Sequence, residues 1–398
     1  MAKLILKDKF MDLVKDGHPG IFPGLFTDKN KIERLAEGEI VNIYSAKKEF
    51  IAKGYLGVEN RNIGWILSYD NEEINQNYFS KKMAKAVSYR QKLFMDPETT
   101  AFRLFNAVGD DIGGFVVDYY DGFALIQWYN EGIYQFKDMI YKAINDIVFP
   151  RGIYEKKRFG NNGSYIKGDS FVSGERMDDN FEILENGVKY IVNLNDGAMT
   201  GIFLDQREVR KVIKDKYANG RKVLNTFSYT GAFSVASAVG GASETISLDL
   251  AKRSVEMTRN NFEANGIDLE NHSIIVDDVF NFYKKGSLNH VTGEYDMVIL
   301  DPPSFSRSKD HVFSVEKDYK KLVENFSVLL KNNGILVAST NHSKLSYEDF
   351  EYRVTRGLRN NGFRFRIEEK FTQSSDFKWN DNFEESKYLK VLVIKVYR

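Results

Sequence analysis

The chain has 398 residues, 42% of them hydrophobic, with 56 Lys and Arg balancing 56 Asp and Glu and no cysteine. That length suits two or three domains with buried cores, and charge neutrality means that any nucleic-acid partner must be met by a local basic surface. The missing thiol removes disulfides, thiolate metal sites and cysteine nucleophiles. No apolar run reaches the roughly 20 residues of a membrane span, and the start MAKLILKDKF is too charged and short for a signal peptide. A cytoplasmic protein with no membrane partner is the expectation. The five histidines are scattered without ligand spacing, so no metal is expected.

In chain order, residues 1–72 hold short apolar runs separated by turns. EIVNIYSAKKEFIAKGYLG reads as two strands around a Lys47–Lys48 turn and NIGWILS as a third, which predicts a small β-barrel. Residues 73–186 open with NYFSKKMAKAVSYRQKLF, where Phe79, Met83, Ala86 and Val87 recur at helical spacing. A strand pair with Asp-Gly turns, a helix near 134–147 and further strand-like segments come next, giving an α+β module. From 187 to 398 strands alternate with helices: KVLNTF (222–227), TISLD (245–249), SIIVD (273–277), DMVILD (296–301) and GILVAST (334–340). In a helix over 251–265, Ala251, Val255, Thr258 and Phe262 share a face. Such βαβα order predicts an α/β domain with a doubly wound parallel sheet.

The carboxyl ends of these strands carry polar residues where ligands bind in open α/β sheets. LNTFSYTGAFSVAS places Gly231 between a strand and a helix, either as packing punctuation or as room for a ligand at the helix N-terminus. Tyr229 and Ser234 break the G-x-G-x-x-G fingerprint, which disfavours a nicotinamide enzyme. Asp249 closes the next strand and suits a ribose diol or a helix cap; Asp278 suits an adenine amine or, equally, a cap. DMVILDPPSFSRSK ends a buried strand on Asp301, and Pro302 and Pro303 turn the backbone beyond it into a stiff, extended corner. Four such ends in order are harder to assign to chance than any one.

The run VLNTFSYTGAFSVASAVGGASETISLDLAKRSVEMTRNNFEANGI, with DMVILDPPSFSRSK after it, resembles class I S-adenosylmethionine-dependent methyltransferases of bacterial 23S ribosomal RNA. More narrowly it resembles the ribosomal large-subunit methyltransferase I and K/L group. TGIFLDQREVR (200–210) is similar to that group's segment before the first cofactor motif. GHPGIFPGLF and AKGYLG resemble its PUA domain, with Gly20 where the family commonly has Trp. The resemblance implies a Rossmann-like methyltransferase domain at 187–398, behind a PUA-like RNA-binding domain at 1–72 and the central module at 73–186. It implies S-adenosyl-L-methionine as cofactor. Phe227, Ser228, Tyr229 and Gly231 would hold its methionine portion, Asp249 its ribose and Asp278 its adenine. Asp301, Pro302 and Pro303 would stand at the methyl donor, and the partner would be ribosomal RNA, 23S by analogy.

Carbon-5 methylation of a pyrimidine needs a nucleophile to add to the ring, and enzymes of that type use a Cys thiolate. Ser339 and Asn341 stand by alignment where cytosine-5 members carry Cys. Ser339 would need a strong base to replace it, so little loss is expected from Ser339→Ala. Guanine ring nitrogen 7 needs neither nucleophile nor base and is favoured, with an exocyclic amine next. Basic residues beside aromatics suit RNA: Lys156, Lys157 and Arg158 before Phe159, and Arg307 and Lys309 beside the Asp-Pro-Pro corner, although a solvated face is the plain alternative. A non-catalytic RNA-binding assembly factor is the competing class, and a homodimer stays open. SSDFKWNDNFEESKYLK departs from the family's His-Pro pair, with Phe377 and Lys378 there instead.

Overall fold

The structure, a computed structural model, describes residues 2–160, 170–177, 180–195, 197, 199–288, 292–307 and 312–398. The chain forms two compact units. The first comprises Met1–Phe181, Asn193–Thr200 and Ser375–Ser386; the second comprises Glu182–Val192, Gly201–Ser374 and Lys387–Arg398.

In the first unit, a five-stranded sheet runs in the spatial order Ala2–Ile5, Ile40–Tyr44, Phe50–Glu59, Asn62–Ser68 and Gly20–Ile21. Alternating residues such as Val41 and Ile43 close its core with Leu4, Ile21 and Phe26. Gly20 pairs with Trp65, and a Cβ at Gly20 would lie 2.8 Å from Asn62 Oδ1, so this turn has no room for the family's Trp. A second five-stranded sheet, ordered Phe171–Gly174, Gly152–Lys157, Phe123–Trp128, Phe115–Tyr120 and Ala101–Asn106, accompanies helices Gln76–Tyr89 and Lys137–Val148. Phe79, Met83, Ala86, Ile140 and Ile144 fill the core of this part of the unit.

The segment Ser375–Ser386 is tied into this unit. Arg90 donates to the Asp376 carbonyl and forms a buried ion pair with Asp110 at 2.7 Å. The Asp376 carboxylate accepts from Arg103 N at 2.7 Å, and the Arg103 guanidinium lies 4.3 Å from the Phe377 ring centre. Asn106 Nδ2 donates to the Lys378 carbonyl at 2.8 Å. The divergent Phe377 and Lys378 thus act as a docking strap.

The second unit is built on a seven-stranded sheet: β1 (Lys222–Thr226), β2 (Glu244–Asp249), β3 (His272–Val276), β4 (Tyr295–Leu300), β5 (Leu330–Thr340), β6 (Arg364–Phe371) and β7 (Lys390–Tyr397). Its spatial order is β3-β2-β1-β4-β5-β7-β6, with β7 antiparallel to both neighbours and the first five strands parallel. Along β4, Val298 and Leu300 face a core with Leu224, Leu336, Tyr319 and Phe326, while Met297 and Ile299 face one with Val223, Val337 and Phe233. Both faces are covered there, which is why β4 reads as a continuous apolar run. The order reverses between β1 and β4, and such a switch point opens a crevice at the carboxyl ends. Among the described residues no helix is long and apolar enough to cross a membrane.

Candidate active site

Register aligns the strand ends. Thr226 pairs with Leu248 and with Leu300, and Leu300 pairs with Ala338. The next residues, Phe227, Asp249, Asp301 and Ser339, therefore line one rim. Two buried hydroxyls lock it: Thr226 Oγ1 donates to the Ile299 carbonyl at 2.8 Å, and Tyr319 OH to the Leu300 and Ser339 carbonyls at 3.2 and 2.7 Å.

The turn after β1 is conformationally costly. Phe227 (φ 54°), Tyr229 (φ 51°) and Gly231 (φ 71°) all lie in the left-handed region, which costs a non-Gly residue about 1–3 kcal/mol. Gly231 opens the helix Ala232–Val239, and a Cβ there would lie 2.5 Å from Thr258 Cγ2. Asp249 holds the turn, since its Oδ2 accepts from Tyr229 N and its Oδ1 from Ala251 N, both at 2.8 Å. Ser228 N donates to the Leu248 carbonyl at 3.0 Å. Buried Asp278 accepts from Phe280 N at 2.8 Å, the capping role left open by the sequence.

Asp301 is half-buried, with its carboxylate enclosed by neighbours. Its Oδ2 accepts from Gln206 Nε2 at 2.8 Å and its Oδ1 from the Ser339 hydroxyl. Burial pushes its carboxyl above the ordinary value, and the hydrogen bonds from Ser339 and Gln206 together with the Arg210 guanidinium pull it partly back. Pro302 is buried and Pro303 exposed. Beyond them lies a hairpin, Phe305–Arg307 against Val312–Ser314. Phe305, Arg307 and Val312 are exposed on one face, while Phe313 on the other packs toward Phe280 and Phe227 at 5.8 and 6.4 Å between ring centres. Lys309 lies outside the described residues.

The segment after Thr200 is drawn onto this rim. Gly201 N donates to Tyr229 OH at 3.1 Å, Thr230 Oγ1 donates to the Gly201 carbonyl at 2.6 Å, and Phe203 packs on Tyr229. Arg210 is anchored by a buried bidentate pair with Glu185 at 2.6 and 2.8 Å.

The basic triplet belongs to the other unit and is largely engaged within it. Lys156 is 1% exposed and its Nζ donates to the Gly197 carbonyl at 2.7 Å, so it is a structural tie and not a surface cation. Lys157 lies 3.3 Å from Glu155 and above the Tyr134 ring, and Arg158 Nε donates to Gln127 at 2.8 Å. Gln206 and Ser339 were not legible as partners of Asp301; only the position of Gln206 within TGIFLDQREVR hinted at it.

A family of S-adenosylmethionine-dependent methyltransferases matches residues 157–378, more than half of the chain. The chain belongs to that family. A PUA-like domain family matches residues 4–69. Among relatives of this methyltransferase, a provisionally named ribosomal RNA large subunit methyltransferase, YwbD, of Bacillus subtilis is 45% identical over 398 residues, covering 99% of this chain and 100% of that one. Ribosomal RNA large subunit methyltransferase I of Photobacterium profundum is 30% identical over 379 residues, 94% of each chain. A crystal structure of a provisionally assigned methyltransferase complexed with SAH matches with TM-score 0.89 at 38% identity, over 99% of this chain and 100% of that one. One from Streptococcus mutans matches with TM-score 0.88 at the same identity and coverage.

The cofactor of this methyltransferase is S-adenosylmethionine. The rim suits it. Adenosine presents ribose hydroxyls and an exocyclic amine, all donors, and Asp249 and Asp278 offer carboxylate oxygens with lone pairs to spare. At Gly231 the space a Cβ would take is filled by Thr258, so this glycine serves the packing of the turn.

Proposed function

We propose that this methyltransferase modifies a base of ribosomal RNA, 23S by analogy with its relatives, at guanine ring nitrogen 7. The observation that carries the choice of a nitrogen is the state of Ser339. The chain has no cysteine, and the hydroxyl in the corresponding place donates to the Asp301 carboxylate. A carboxylate is far too weak a base to make an alkoxide of serine, so no nucleophile is poised to add to a pyrimidine ring.

S-adenosylmethionine supplies a methyl group already activated on sulfonium. Phe227, Ser228, Tyr229 and Gly231 would shape the pocket for its methionine portion, Asp249 would accept from the ribose and Asp278 from the adenine amine. Asp301, with backbone carbonyls stiffened by Pro302 and Pro303, would accept hydrogen bonds from the target base and hold its nitrogen in line with the methyl group; such positioning is the main task when the donor is pre-activated. Arg307, with Lys157 and Arg158, would meet phosphates. Residues 1–72 and 73–186 would recognise RNA and 187–398 catalyse. The test is mass spectrometry of digested 23S ribosomal RNA from a deletion strain. Loss of 7-methylguanosine supports the reading, whereas loss of 5-methylcytidine, or of nothing, overturns it.

A further inference from the structure

Asp301 is approached by two neutral side chains from separate elements: Gln206, from the short helix Leu204–Gln206, and Ser339, from β5. Each takes a different carboxylate oxygen. We infer that Gln206 and Ser339 are positioning residues for methyl transfer, a clamp that holds the Asp301 carboxylate in one orientation. The inference rests on the proposed role of Asp301 toward the target base.

Three observations support it. Gln206 is 5% exposed, and its Oε1 is buried with no hydrogen-bond partner among the described residues. A core built for packing alone would place an apolar side chain there and leave no orphan acceptor. The amide orientation is also forced, because reversing it would set a carbonyl oxygen against a carboxylate. Ser339 is 1% exposed between packed neighbours where Ala would fit, and its carbonyl is held by Tyr319, so its hydroxyl is fixed on Asp301. With one donor on each oxygen, rotation of the carboxylate breaks two hydrogen bonds, so the remaining lone pairs stay aimed in one direction.

Among the described residues, the other charged or titratable groups that act on this corner are Arg210 and Tyr319. Arg210 is neutralised by Glu185 and donates to the Phe203 carbonyl. Burial, and then the Asp301 charge, keep the Tyr319 hydroxyl protonated. Neither Gln206 nor Ser339 can exchange a proton near neutral pH, so both act through Asp301.

Donors to a carboxylate favour its charged form, so removing either must raise the pH at which Asp301 titrates. The test uses full-length protein with carboxyl-labelled Asp, the Asp301 carbon resonance being assigned through Asp301→Asn. In Ser339→Ala and Gln206→Leu this resonance should titrate at higher pH than in wild type. Gln206→Glu, which keeps the shape and adds a like charge, should move it further in the same direction, and Ser339→Thr should restore it. In parallel, kcat on unmodified ribosomal RNA should fall about tenfold for the Ala and Leu variants, with the loss deepest near pH 6 and only partly recovered toward pH 9, and KM for S-adenosylmethionine should be unchanged. Unchanged titration in all the variants, or a Thr variant no better than Ala, overturns the clamp. If wild type methylates no ribosomal RNA while the titrations shift as stated, the substrate reading fails and the clamp stands.

Discussion

Asp249 can be tested with a single atom exchange. Its two carboxylate oxygens each accept one backbone N–H, from Tyr229 and Ala251, at 2.8 Å. Asp249→Asn replaces one oxygen by an NH2 group, setting donor against donor and removing the charge. A hydrogen bond to a charged group contributes about 1.5–3 kcal/mol. Tyr229 depends on that bond to remain at φ 51°, so the turn beside the cofactor should relax and the ribose should lose its charged acceptor. At about 1.4 kcal/mol per factor of ten, the dissociation constant should rise roughly ten- to hundredfold. Isothermal titration calorimetry with S-adenosylhomocysteine measures it, with thermal melting to show that the variant folds. A lowered melting temperature with an unchanged dissociation constant would mean that Asp249 only caps the turn at Ala251 and that the ribose assignment is wrong.

Asp301→Asn should lower kcat about a hundredfold in radiolabelled methyl transfer while cofactor affinity stays within about threefold, since in the proposed role its acceptors serve the target base; a parallel loss of affinity would contradict that role. Phe305, exposed on the hairpin beyond Asp301, offers a ring for base stacking on the proposed RNA substrate: Phe305→Ala should raise the dissociation constant for RNA roughly tenfold in a filter-binding assay, the contribution of one base stack, and Phe305→Trp should recover it. Arg210→Ala strands Glu185, itself 1% exposed, without its partner and should cost about 3–5 kcal/mol, read as a lower melting temperature. Gly109→Ala would set a Cβ 1.9 Å from the Lys378 carbonyl oxygen, so limited proteolysis should cut within 375–386 in that variant and spare wild type.

What was legible in the sequence is what local pattern encodes. Among the parallel strands of the catalytic sheet, β4 and the second half of β5 stand out because burial on both faces makes them apolar, whereas β3 is half exposed and is read from its short apolar run and polar end. The helix expected over 251–265 is observed as Ser254–Ala264, since Asp249 organises the preceding turn first. Hidden from the pattern were features that depend on tertiary neighbours. Phe227 and Tyr229 adopt left-handed φ although their side chains give no hint of it. Gln206 lies 95 residues and Ser339 38 residues from Asp301, so neither carries a local signal. The expectation of little loss from Ser339→Ala takes no account of that contact, and the inferred clamp predicts a loss instead. The basic triplet misled through strand geometry: in Gly152–Lys157 successive side chains point to opposite faces, so Lys156 turns inward where Lys157 turns out.

The most direct test of the central claim is transfer itself: purified protein, S-adenosylmethionine with a trideuterated methyl group, and 23S ribosomal RNA from a strain lacking the gene, with the products read by nucleoside mass spectrometry. The account predicts deuterated 7-methylguanosine from wild type and its loss from Asp301→Asn. Deuterated 5-methylcytidine, or a covalent protein adduct with 5-fluorocytidine-containing RNA that disappears in Ser339→Ala, would contradict it.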